Sequence, residues 1–130
     1  MRNSDIYVSA LQLIGENASY ESNDDYKERA PYLIAAFSTE SAEIDKEYRL
    51  EHDLPSRGNV NQVCLPLEST FPCADRFASA AALYVAAMLV IDENMELSDK
   101  LFDRYCDCMA TIQSEIPAKI EKIAQKYGAL

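Results

Sequence analysis

From residue 77 to residue 91 the chain reads FASAAALYVAAMLVI, with no charge, no glycine and no proline. Alanine at this density favours helix over strand, because it loses no side-chain entropy on entering a helix. A helix that is apolar on every side must be buried on every side, in a membrane or at the centre of a bundle. A membrane span needs roughly 18 or more apolar residues. Arg76 closes this run at one end and Asp92-Glu93 at the other, short of that length. The run therefore predicts a central core helix whose alanine faces let neighbouring helices approach closely. The rest of the chain must supply the helices that cover it.

At 130 residues the chain suits one domain large enough to bury a real core. The hydrophobic fraction of 48% and charged fraction of 26% are ordinary for a globular protein. Three glycines and no tryptophan fit helices joined by few loops. The net charge of −10 is spread along the chain. Such a chain is a poor binder of nucleic-acid phosphate, which is held mainly by cations. It suits a cationic protein partner, or a surface that avoids DNA. The opening Met1-Arg2-Asn3-Ser4-Asp5 leads into an amphipathic segment, not an apolar secretory core. An intracellular chain with reduced thiols at Cys64, Cys73, Cys106 and Cys108 is expected.

In chain order, Ser4 is placed to cap a first helix over about 5–16, with Gly15 ending it. A second helix starts near Asn23 or Asp24. Its apolar stripe runs Tyr26, Ala30, Leu33, Ile34, Phe37, Ile44, Tyr48, through Pro31, where a kink or late start is expected. Lys27, Glu28, Glu40, Glu43, Lys46, Glu47 and Arg49 make its solvated face. Residues 51–70 carry Pro55, Gly58 and Pro66 and form one long irregular loop, in which Val60, Val63, Leu65 and Leu67 suit a short extended piece. Such a loop either contacts something outside the fold or is a plain crossover. Thr70, Phe71 and Pro72 introduce the central helix, and Ser98 is a favourable N-cap for the last one, with Leu97 and Phe102 spaced as a hydrophobic staple. The stripe Leu101, Tyr105, Met109, Ile112, Ile116, Ile120, Ile123, Tyr127 steps by three or four. It covers about 27 residues, roughly 40 Å as helix, and crosses Pro117, which kinks it or divides it in two. The part after Pro117 either overhangs the bundle and seeks a neighbour or folds back over the first helix. The expected fold is all-α: a compact bundle of four to five helices around the Ala-rich central one, with 51–70 as its loop.

Chemistry-bearing residues are present but do not converge. Cys106 and Cys108 on a helix are separated by about 200° of rotation. Cys64 and Cys73 lack knuckle spacing, and His52 is the chain's one histidine. The cysteines read as small buried or half-buried hydrophobes. Asp99, Asp103 and Asp107 share a helix face, but Lys100 and Arg104 alternate with them, as on a solvated surface. No phosphate-cradling glycine loop, GxSxG or HExxH occurs. No catalytic, cofactor or metal site is expected. The candidate residues are those of a protein interface: Val60, Val63 and Leu65 in the loop, and Ile120, Ile123 and Tyr127 near the end.

Taken in order, DDYKERAPYLIAAFSTESAEID, a Pro-bearing loop, LPLESTFPCADRFASAAALYVAAMLVIDEN and LSDKLFDRYCDCMATI make a pattern of helix order and texture over about residues 5–115. This pattern resembles small helical proteins of the structural-gene region of tailed phages and Firmicutes prophages, most of all the head–tail connector (adaptor) family. The resemblance implies a non-enzymatic homo-oligomer that forms a ring beneath the portal and joins it to the tail. It implies partners among its own copies, the portal and tail proteins, with DNA at most passing an acidic lumen that repels phosphate. It implies residence in the bacterial host's cytoplasm and then in the virion, either as rings or as a monomer that assembles on the portal. The family's terminal helix is often short, so the long final stripe is a departure. A different reading of the same residues is a small acidic helical adaptor or regulator bound to one cationic partner.

Overall fold

The structure is a computed structural model and describes residues 1–15, 24–58 and 62–116. These residues form α1 (Asn3–Leu13), α2 (Asp24–Glu40), α3 (Ala42–Glu51), a 3₁₀ turn at Asp75–Phe77, α4 (Ala78–Val90) and α5 (Met95–Ser114). The fold is an all-α bundle, as expected. The sole β-type pairing among the described residues is an isolated bridge between Arg2 and Thr70. No described helix is long and apolar enough to cross a membrane.

α4 is the centre. Every residue from Ala80 to Ala87 is buried, and α1, α2 and α5 all pack on it. The side chains at 80, 81, 82, 86 and 87 are all alanine, so neighbouring helices meet its backbone closely. Phe37 of α2 is fully buried and gathers Phe71, Tyr84 and Tyr105 around it, with ring centroids 6.0–6.3 Å apart. Such offset and edge-on ring pairs add attraction beyond area burial.

The ends of α4 are tied by side chains from far along the chain. At its C-terminal end Arg29 donates to the carbonyls of Met88 and Leu89, so a cation from α2 meets the negative end of the helix dipole. The Tyr26 hydroxyl donates to Glu93 just beyond. Ser98 Oγ donates to Ala87 O at 2.8 Å and fixes α5 against α4. At the other end Arg76 makes a two-pronged hydrogen bond to the Glu115 carboxylate at 2.9–3.0 Å.

Several boundaries differ from the sequence expectation for identifiable reasons. α1 starts at Asn3 with Arg2 as its N-cap, and Ser4 lies inside it. Its free N–H groups are met by the distant loop: Asn3 N donates to Ser69 O at 2.9 Å and Ser4 N to Leu67 O at 2.8 Å. α2 begins at Asp24 and runs through Pro31 to Glu40, and the long stripe divides at Ser41. There both the backbone N–H and the hydroxyl of Ser41 donate to Phe37 O. α5 begins at Met95, not at Ser98. Asn94 is its N-cap, with Oδ1 accepting from Leu97 N at 3.1 Å. The staple assigned to Leu97 and Phe102 therefore has no place, because both residues lie within the helix. The question of a bend or a break at Pro117 lies outside the described residues.

Candidate functional site

The part of the molecule that departs most from a plain bundle is the irregular connection from α3 to α4, together with the buried charge that holds it. On α3, Asp45 and Arg49 are one helical turn apart, a spacing that brings side chains together. Asp45 is fully buried, which a lone carboxylate does not tolerate. Its partners come from three places. Oδ2 accepts from Arg49 Nε at 3.0 Å and lies 3.5 Å from Arg57 Nε, while Oδ1 accepts from the backbone N–H of Ala74 at 2.8 Å.

Arg49 spends its remaining donors on the connection, and Arg57, which belongs to the connection, spends its own on α2 and on Cys73. Arg49 donates to Pro55 O at 2.7 Å and to Pro72 O at 3.0 Å. Arg57 donates to Ser38 O at 2.8 Å and to Cys73 Sγ at 3.1 Å. One carboxylate and two arginines thus clasp both arms of the loop to α2 and α3. The arginine side chains keep only 16% and 10% of their surface, so the pairs are well shielded from salt. Arg49, read from sequence as part of a solvated face, is in fact half-buried at this clasp.

Burial pushes the Cys73 thiol above its ordinary value, against the pull of the Ser41 hydrogen bond and the Arg57 charge. Cys73 is therefore a neutral thiol at neutral pH and a poor nucleophile. All four cysteines are free, Cys106 being exposed and Cys64 and Cys108 half-buried. His52 stacks on Tyr48 with ring centroids 4.0 Å apart and has its Nδ1 2.9 Å from Tyr48 O. No group of three or more metal-ligating side chains occurs among the described residues.

A cleft of about 380 Å³ opens over the clasp, between the outer side of α3 and residues 54–58. Leu50 and Leu54 line it and are 63% and 43% exposed, beside Lys46 and Arg57. On the other side of Arg49 a second hollow, about 430 Å³, is lined by Leu54, Pro55, Phe71 and Arg76. The clasp is thus the floor between two surface hollows.

Of the interface residues chosen from sequence, Val63 is 79% exposed. Leu65 does not share its surface. It is 5% exposed, and its backbone N–H donates to Pro31 O at 3.1 Å, so it anchors the loop on α2. Val60, Ile120, Ile123 and Tyr127 lie outside the described residues. Sequence reasoning missed Asp45, Arg57, Leu50 and Leu54. The available signal was a row of short polar side chains, Ser38, Ser41, Asp45, stepping into Arg49 along one side of a helix. No protein-family model, no curated protein and no solved structure matches this chain.

Proposed function

We propose that the chain is a non-enzymatic structural protein of a tailed phage or prophage. It belongs on this reading to the head–tail connector type, whose copies assemble as a ring between portal and tail. The observation that carries the proposal is the clasped loop. Holding a long irregular segment in one shape costs about 1–2 kcal/mol of backbone entropy per residue, and this chain meets that cost with buried ion pairs. The held segment presents Leu54 and Val63 to solvent, and Leu50 adjoins Leu54 across the same cleft. Rigid loops that turn apolar side chains outward are characteristic of surfaces that meet another protein. The helix order on which the resemblance rests and the net charge of −10 support the same reading, since a ring lumen that passes DNA should repel phosphate. Partners are neighbouring copies, the portal and tail proteins. The chain resides in the host cytoplasm before assembly and in the virion after it, and uses no cofactor.

A second reading has its own observation. Asp99, Asp103 and Asp107 are exposed along α5, and none of the ion pairs among the described residues uses them. Such a row suits a cationic protein partner. It predicts a fixed monomer or dimer whose binding weakens with salt.

Light scattering coupled to size-exclusion chromatography, over a wide protein concentration range and with or without a candidate portal protein, separates the two. Discrete large oligomers or co-migration with the portal support the connector reading, and Leu54→Asp with Val63→Asp should reduce both. A strict monomer indifferent to the portal overturns it and leaves the acidic adaptor.

A further inference from the structure

We propose that the groove between α1, α4 and α5 is the docking site of this chain's own terminal segment, residues 117–130. The groove measures about 420 Å³, with Ile6 and Leu13 of α1 and Ala78, Ala82 and Leu83 of α4 along it and Asp5 at its rim. Four observations select the occupant, and none depends on the ring reading.

The first is where the described chain stops. Ile116 is buried, and its neighbour Glu115 grips Arg76 at 2.9 Å. Arg76 stands two positions before Ala78, so the described residues end beside the end of α4 that floors the groove.

The second is length. Fourteen residues at helical rise reach roughly 21 Å, and the eleven residues of α1 about 16 Å, so the segment is long enough to run the length of α1.

The third is pattern. Ile120, Ile123 and Tyr127 continue, at steps of three and four, the stripe on which Ile112 and Ile116 are buried. Ala78 and Ala82, one turn apart, offer a floor with little side chain in the way of a close approach.

The fourth is charge. Residues 117–130 carry Lys119, Lys122 and Lys126 against Glu121, a net +2, while the rest of the chain carries nine cations and 21 acids, a net −12. The segment is the one strongly cationic stretch of an acidic chain, and of the two charged side chains that line the groove, Asp5 is an exposed carboxylate suited to pair with it while Arg104 of α5 is not.

Hydrogen exchange on the full chain, on a chain ending at Ile116 and on full-length Ile120→Asp/Ile123→Asp tests this directly. The double substitution guards against a truncated chain that fails to fold. Amides of α1 should exchange several-fold faster in both variants, while those of α3 stay unchanged. Zero-length carbodiimide coupling of the full chain should join Lys119 or Lys122 to Asp5 within one chain, at a yield independent of protein concentration. Equal exchange in all three chains would overturn the proposal. Coupling found only between chains would overturn it too, by giving the groove to the segment of a second copy.

Discussion

α4 is buried along its length while most of the connection that leads into it lies exposed, and the two are held by opposite means. α4 is held by apolar area and small side chains, spread over many contacts of individually small energy. The connection is held at separate polar points: the Asp45 carboxylate with the two arginines that converge on it, and hydrogen bonds linking residues 65–71 to α1 and α2. Distributed packing degrades gradually when one contact is lost. A shared buried charge fails as a unit, because the groups left behind have no water to turn to. The two regions therefore predict different responses to single substitutions.

The largest effect is expected at the clasp. Asp45→Ala leaves Arg49 and Arg57 without their carboxylate and Ala74 N–H without its acceptor. Breaking a buried pair from one side costs about 3–5 kcal/mol. Denaturant unfolding should show that loss, and hydrogen exchange should place it first in residues 62–74 while α4 amides remain slow. Equal acceleration in both regions would mean that the two are not separately held. In α4 the sharper probe is overpacking. Ala86→Leu puts a larger side chain where the alanine is fully buried, at an expected cost of about 1–3 kcal/mol. Its signature should be one cooperative transition moved to lower denaturant, with no early opening of the loop.

The same contrast explains what the sequence disclosed. A helix whose burial follows from composition alone, as with 77–91, is legible because every residue carries the same message. α5 was legible in its stripe, since Leu101 and Ile112 are buried as their spacing requires. Its start was not, because Ser98 has the chemistry of a cap but gives its hydroxyl to Ala87 O in another helix. Ser4 failed in the same way, its N–H being met by Leu67 from the far loop. Asp45 and Arg49, four apart, look like any exposed helical ion pair. What buries them is Arg57, Pro72 and Ala74, the last standing 29 positions along the chain. Local pattern cannot announce a partner that only the fold supplies. For the same reason Val63 and Leu65, alike in sequence, part company in the structure: one faces solvent and the other is buried, its backbone anchored on α2.

Titration probes the apolar side of the comparison. Tyr105, packed among Phe37, Tyr84 and Phe102, is pushed up to about 12, first by burial and then by the charge of Glu40. The folded state thus holds the Tyr105 proton more tightly than the unfolded one does. The associated stability is complete below the ordinary value of 10.0 and is lost as pH rises through about 12. Tyr105→Phe should therefore flatten the alkaline limb of a pH–stability curve and shift its midpoint upward. Tyr7 and Tyr84 are raised in the same direction, so part of the limb should survive the substitution.

The smallest effect is expected where the polar mode of attachment reaches the surface, at Arg76 and Glu115. The hydrogen bonds from Arg76 hold the Glu115 carboxyl below its ordinary 4.5, against an opposing effect of burial. The sign is opposite to that of Tyr105. This contribution is present above pH 4.5 and disappears as pH falls through the lowered value in the folded state. Both side chains keep about a third of their surface, so solvent and salt weaken the pair. Glu115→Gln should leave neutral-pH stability nearly unchanged and flatten only the acid limb, and added salt should make wild type resemble the variant. Asp45→Ala should show no such rescue or mimicry by salt, since its partners are shielded. If salt blunts the Asp45 substitution as readily as it blunts Glu115→Gln, the clasp is a surface ion pair like any other, and the contrast between the two regions falls with it.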